Sequence, residues 1–408
     1  MEAQTRSYLR GRFGDHYRRE GVEPPPAADA REWGYIPWSR GGTRMIRHQS
    51  LLDLGEFGED PDGVSDFLAH ERPQHVYYSA AYYDDPGAES MNAKGWLGAD
   101  LVFDLDADHL PGVDPEAVSY REMLAACKDA LWRLLDVLET DLGFREYEIV
   151  FSGGRGYHVH VRDQRVRELG REARREIVDY VLGAEVDFDA IVETEAVGGD
   201  VGRETPAQKR TLPTDGGWGA RTHRQLLEFV DELLELDEDE ALERLQSYEG
   251  IGEGKAQATL NAARINYDGL ASGNVDVHSA VVQLAKTFVE ETIANEHAPI
   301  DEPVTTDINR LIRLPGSLHG GSGLRVSHIG RDALDGFDPF VDAVPETFRG
   351  QQITVDVKSP GETPFPAPSG DGTFTVAEGV QTVPEYVGVF LMARGRAEKG
   401  REMGEQHA

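Results

Sequence analysis

Apolar residues along this 408-residue chain recur at two spacings, and each spacing predicts a type of element. Leu101-Val102-Phe103-Asp104-Leu105-Asp106 is an apolar run closed by two acids, and Tyr147 to Phe151 is a second strand-like run. Strand side chains alternate faces, so Leu101, Phe103 and Leu105 share one face and Val102, Asp104 and Asp106 the other. Between these runs Leu124, Cys127, Leu131, Leu134 and Leu138 recur at helical spacing, which predicts a helix from Pro115 to Leu142. From about Arg165 to Val275 the pattern changes to helices and glycine-rich loops, strongest over His223 to Tyr248. Val277, Val281, Leu284 and Phe288 mark a helix expected to return the chain to the core before Asp301. Ser359 to Gly372, rich in proline and glycine, reads as a linker or surface loop. A helix from Pro384 to about Arg396 and a polar tail finish the chain. The expected fold class is α/β with a mixed sheet and an inserted helical subdomain. Residues 1–164 and 276–350 would form the core, 165–275 the insertion, 351–383 a linker or surface segment, and 384–408 the C-terminal helix and tail.

Asp104 and Asp106 place two carboxylates side by side at the end of a buried strand. Their repulsion is tolerable with a cation between them, and hard oxygen ligands suit magnesium or manganese. Carboxylates holding two such ions about 3.5–4 Å apart are the usual apparatus of phosphoryl and nucleotidyl transfer. Asp108 extends the series, but an EF-hand fails: its turn glycine is His109 and its bidentate glutamate position is Pro115.

Two further stretches bear on the pair. In Phe151-Ser152-Gly153-Gly154-Arg155-Gly156-Tyr157-His158, glycines let the backbone turn tightly, and Arg155 and His158 can reach phosphate oxygens. Ile308-Asn309-Arg310-Leu311-Ile312-Arg313-Leu314-Pro315-Gly316-Ser317-Leu318-His319 places two arginines and a histidine beside a Pro-Gly turn, with Asp301 shortly before. Each stretch alone reads equally as a structural turn with solvated charges. With the aspartates they supply a metal site and a polyanion site.

The order F-D-x-D, then S-G-x-R-G-x-H, then R-L-I-R-x-P-G-S-L-H resembles the small catalytic subunit of the archaeal and eukaryotic replicative primase. Arg31 to Tyr35, Arg47 to Leu51 and Val383 to Val387 resemble that family's terminal segments. The resemblance implies a primase-type catalytic core in which Asp104, Asp106 and Asp301 bind the metals. It also implies that Arg155, His158, Arg313 and His319 grip the incoming nucleotide's phosphates, with Ser152 alongside and Arg47 near nucleotide and template. The implied partners are a large primase subunit, a single-stranded DNA template and nucleoside triphosphates. The implied activity is template-directed synthesis of short primers. A repair or end-joining primase-polymerase with the same core is the rival reading, and a non-catalytic nucleic-acid-binding subunit a third. The chain departs from the family in two places: it lacks the cysteines of a zinc knuckle, so no structural zinc is expected, and His319-Gly320-Gly321 replaces H-G-K.

Composition adds the setting. Acids number 74 against 41 bases, for a net charge of -33, and only seven of the bases are lysine. The acids are spread along the whole chain, which excludes a simple acidic tail. On a nucleic-acid enzyme this surface reads as adaptation to molar salt, with an extremely halophilic archaeon as the inferred source. There the Debye length is only about 3 Å, so template contacts are expected to be short-range. A single cysteine, Cys127, fits a reducing compartment, and no apolar run approaches the roughly 20 residues of a membrane span. The expected location is cytoplasmic, with no membrane partner. Gly250 to Lys255 is not a Walker A loop, because Glu249 and Ala256 occupy required positions. It reads either as a helix-hairpin-helix turn touching a DNA phosphate or as a turn between packed helices.

Overall fold

The computed structural model describes residues 1–39, 44–54, 63–114, 117–197, 207–367 and 372–401. Two compact units emerge: the first comprises 1–129, 146–175 and 299–408, the second 130–145 and 176–298.

Two four-stranded sheets in the first unit position the site. One has the order Leu311–Arg313, His75–Ser79, Trp33–Ile36, Ile46–Gln49. The other has the order Ser327–Ile329, Tyr147–Phe151, Gly156–Val161, Leu101–Asp106. All pairings in both are antiparallel, so the α/β character comes from helices combined with antiparallel strands. Leu101, Phe103 and Leu105 are fully buried, while Asp104 and Asp106 are partly open on the opposite face. Gly156 faces Asp106 across the ladder, and a Cβ there would stand 1.8 Å from the Leu105 carbonyl oxygen. Only glycine lets these strands pair.

Behind the first sheet, Arg31 is completely buried. Its guanidinium bonds Asp100 at 2.8 Å, the Tyr82 hydroxyl at 2.7 Å and the Ser79 carbonyl at 2.7 Å. A buried charge this fully partnered is a structural brace.

The segment expected to be a linker or surface segment, 351–383, contains paired strands and is not a linker. Gln352–Val357 pairs in register with Gly379–Pro384 and also with Ala397–Lys399, and Gly361–Pro366 forms a hairpin with Thr373–Val376. Ile353, Val355 and Val357 alternate into the core. Pro364 and Pro366 sit in a two-stranded hairpin with an irregular register, where a missing N–H costs little. The C-terminal helix is shorter than expected, Glu385–Ala393, and the chain leaves it through Gly395 at φ 71°. Residues 402–408 of the tail lie outside the described residues.

The second unit is mainly helical, with one hairpin, Glu193–Val197 with Ala207–Thr211. The helix read as Pro115 to Leu142 is observed as Tyr120–Asp136 followed by a π turn over Val137–Asp141. Pro115 itself lies outside the described residues. The helical region extends past the expected 275. Helix Ser279–Glu296, expected to return the chain to the core, belongs to the second unit, where it packs on helix Gly217–Glu235 with Phe288 and Phe229 rings 5.2 Å apart. Its apolar stripe was readable, but periodicity names a buried face and not what covers it. The Gly250–Lys255 turn joins helices Glu238–Gln246 and Glu253–Ile265, and the Lys255 ammonium donates back to the Gly250 carbonyl at 2.9 Å.

Candidate active site

The aspartate strand, the glycine turn and the Asp301 segment meet in the first unit. Asp104 pairs in register with His158, whose Nε2 lies 3.4 Å from Asp104 Oδ1. The backbone N–H of Asp301, at the entry to the short helix Glu302–Thr306, donates to the Asp104 carbonyl at 2.9 Å. Asp301 thus reaches the aspartate pair through the main chain. Burial raises the Asp104 pKa, the Asp106 and Asp301 charges add to that, and His158 and Arg310 oppose it.

These groups have the chemistry of a divalent-cation site: hard oxygens, mutual repulsion, and a carboxylate held above its ordinary pKa until a cation arrives. His158 Nδ1 is buried with no hydrogen-bond partner among the described residues. Among those residues no group of three or more His, Cys, Asp or Glu side chains is placed to hold a metal ion. A divalent ion at Asp104 would need waters or substrate phosphates to complete its shell, as magnesium sites commonly do.

A cavity of about 400 Å³ opens beside Asp104, lined among others by Arg47, Tyr77, His158, Arg310 and Arg313. Two carboxylates, Asp104 and Asp307, thus share its wall with three arginines. Arg313 stands opposite Tyr77 in the strand register, and its Nη1–H groups donate to His75 Nδ1 at 2.6 Å and the Tyr77 hydroxyl at 3.0 Å. Accepting those bonds requires a neutral His75, and burial with the Arg313 charge lowers its pKa to about 3. Arg47 forks onto the buried Glu32 at 2.7 and 3.2 Å. Glu32 also accepts the His48 N–H at 3.1 Å and faces the buried Lys94 at 3.7 Å. Burial would raise the Glu32 pKa, but Arg47 and Lys94 hold it below the ordinary value.

His319 lies against the glycine turn. A Cβ on Gly154 would come within 3.0 Å of His319 Nε2, and one on Gly153 within 2.8 Å of its Cβ. These glycines therefore admit the histidine rather than a ligand. The Gly321 N–H donates to His319 Nδ1 at 3.2 Å, which leaves the proton on Nε2. The rings of His75 and His319 meet edge-on at 4.9 Å, and burial keeps His319 neutral. Ser152 organises the turn, its hydroxyl accepting the Gly154 and Gly156 N–H groups at 3.2 and 3.3 Å.

Arg155 does not line the cavity. It is held bidentately by Asp108, Nη1 to Oδ1 at 2.8 Å and Nη2 to Oδ2 at 2.5 Å, with Asp106 3.7 Å from Nε. Sequence reasoning assigns no role to Tyr77, His75 or Glu32, rejects Asp108 as an EF-hand ligand, and names Arg310 only as part of the polyanion stretch. Alternation along His75–Ser79 could have flagged His75 and Tyr77; the Glu32 fork depends on sheet pairing that no local pattern states.

Comparison with known proteins places this geometry. The family model for the DNA primase small subunit matches residues 103–330, which hold every site residue above that sequence proposed except Arg47. A DNA primase small subunit of Haloarcula marismortui is 63% identical over 403 residues, covering 98% of this chain and 100% of the relative. Those of Natronomonas pharaonis and Methanothrix thermoacetophila are 60% and 41% identical, with the same two coverages. The relatives at 53–63% identity come from haloarchaea, in keeping with the acidic, lysine-poor composition. With full-length likeness at this level and the matched segment carrying the three aspartates, the chain belongs to the DNA primase small subunit family.

Proposed function

We propose that this chain makes short oligonucleotide primers on single-stranded DNA by metal-dependent nucleotidyl transfer, bound to a larger non-catalytic subunit. The observation that carries the reading is the cavity in which Asp104, backed by Asp106 and Asp301, faces Arg47, Arg310 and Arg313. Carboxylate and guanidiniums in one cavity suit a triphosphate whose reacting end would be metal-bound.

Asp104, Asp106 and Asp301 would hold two magnesium or manganese ions, which when bound ease deprotonation of the attacking 3′-hydroxyl and neutralise the departing pyrophosphate. Arg313, steadied by His75 and Tyr77, presents its remaining N–H groups to phosphate oxygens. Arg47 is aimed by Glu32. His319 offers its Nε2 proton as a neutral donor. Their contribution is positioning and electrostatics, and no side-chain nucleophile is required. Structural zinc has no place in this reading, because Cys127 is buried on its helix with its thiol on the Arg155 carbonyl at 3.3 Å.

The test is labelled-nucleotide incorporation on unprimed single-stranded DNA in molar potassium chloride, with ribo- and deoxyribonucleotides in separate arms. Dinucleotides and short oligomers made without a primer are expected. Incorporation confined to primed or broken ends would assign the chain to repair, and none in any arm would refute catalysis.

A further inference from the structure

A second cluster of arginines lies outside the cavity beside Asp104. Arg394 caps the C-terminal end of helix Glu385–Ala393, where a cation complements the helix dipole. Its guanidinium lies over the Tyr120 ring at 4.9 Å and beside Phe390 at 5.7 Å. Among the described residues it has no carboxylate partner. Arg396 donates to two carbonyls, Glu362 O at 2.9 Å and Ser359 O at 3.3 Å, and burial together with the Arg394 charge lowers its pKa. Arg121 completes the group, but Asp338 neutralises it at 2.9 Å.

These three arginines line a cavity of about 360 Å³ with Tyr120, Thr363 and Phe390, and Glu362 is the acid on its wall. Among the described residues neither Arg394 nor Arg396 is paired with a carboxylate, and the Arg394 charge disfavours the Arg396 cation. An anion between them would relieve that repulsion and receive charge-assisted hydrogen bonds. The aromatic floor is already covered. Tyr120 packs edge-on against Phe340 and Phe390 at 5.6 and 5.8 Å, and Arg394 lies over its ring. Among the described residues the ring that lies beside the arginines already carries a guanidinium, which favours phosphate over a stacked base.

We propose that Arg394 and Arg396 form a phosphate subsite for the backbone of a nucleic-acid strand, sharing no lining residue with the Asp104 cavity. The choice of a strand over a free nucleotide rests on the functional reading above, in which the Asp104 cavity takes the triphosphate. The subsite is also linked to that machinery. The Tyr120 hydroxyl under Arg394 donates to the Gly154 carbonyl at 2.7 Å, in the turn that carries Arg155. A strand gripped here would brace the glycine turn.

The test is fluorescence anisotropy of a labelled single-stranded oligonucleotide on the full chain across a potassium chloride series, with ATP titrated separately. Arg394→Gln should weaken oligonucleotide binding about tenfold. It should also make the slope of log affinity against log salt shallower by about 0.7, the loss of one phosphate contact. Arg394→Lys, which keeps the charge, should retain most of the affinity, and ATP binding should be unchanged in both. Unchanged oligonucleotide affinity and slope in Arg394→Gln would overturn the proposal. So would weakened ATP binding with oligonucleotide binding intact, which would make this a nucleotide site. A Lys variant as weak as the Gln variant, with a lowered melting temperature, would make Arg394 a packing residue. The readout is binding, so strand binding through Arg394 without primer synthesis would refute only the functional reading. Primer synthesis with wild-type oligonucleotide binding by Arg394→Gln would refute only this inference.

Discussion

The backbone N–H of Asp301 donates to the carbonyl of Asp104 at 2.9 Å, so the third aspartate is tied to the pair by main chain, independently of any cation. Asp301→Asn leaves that bond in place and removes only the side-chain charge. The variant should fold with an unchanged melting temperature or a slightly higher one without divalent ions, because it relieves repulsion on Asp104. Primer synthesis should nevertheless be lost. A variant that keeps wild-type synthesis would remove Asp301 from the metal site.

Asp108 holds Arg155, the arginine that the functional reading assigns to nucleotide phosphate. Its carboxylate occupies the Nη1/Nη2 edge of the guanidinium, in a pair roughly 40% exposed. Asp108→Asn should free the arginine and raise nucleotide affinity severalfold, read by isothermal titration calorimetry in molar salt. Arg313→Ala should act in the opposite direction, losing a charge-assisted phosphate contact of about 1.5–3 kcal/mol. Unchanged affinity in Asp108→Asn would show that Arg155 does not reach nucleotide.

Glu32 holds Arg47 in place and also compensates Lys94, both ends of the Glu32–Lys94 pair being fully buried. Glu32→Gln should therefore cost stability, about 3–5 kcal/mol for stranding a buried charge, and should raise the apparent KM through a wandering Arg47. Glu32→Gln with Lys94→Met should recover much of the stability without recovering KM. Recovery of both would make Arg47 indifferent to Glu32.

The strand Leu101–Asp106 was legible because a period of two, an apolar face and paired acids all coincide within six residues. The glycine turn was legible as a turn, though its glycines make room for His319, a partner far along the chain. What sequence reading missed depends on long-range pairing. Tyr77 becomes a site residue only because the register sets it opposite Arg313, and Glu32 only because Arg47 folds back across the neighbouring strand. At 351–383 proline and glycine content outweighed the alternation of Ile353, Val355 and Val357, and a central strand with a separate hairpin was read as a linker or surface segment.

Acid should unfold this protein through its histidines. Burial lowers the pKa of His75, to about 3, and also lowers those of His158, His160 and His319. A histidine with a depressed folded pKa binds its proton more readily when unfolded, so stability falls as pH drops below the ordinary value of 6.5. For His75 the fall continues to about pH 3. Each such group contributes a slope of up to about 1.4 kcal/mol per pH unit within its window. Denaturant midpoints between pH 7.5 and 5.5 should show this, and His75→Gln should flatten the curve. An unaltered slope in that variant would mean His75 titrates normally.

The central claim is that Asp104 and Asp106 hold the ions that make this chain a polymerase. It is tested most directly by oligonucleotide synthesis on unprimed single-stranded DNA in molar potassium chloride, comparing wild type with the Asp104→Asn, Asp106→Asn double variant. Wild type should synthesise with added magnesium or manganese and stop after EDTA treatment. The double variant, with circular dichroism like that of wild type, should make no product with either ion. Synthesis by the double variant, or by EDTA-treated wild type, would contradict the account.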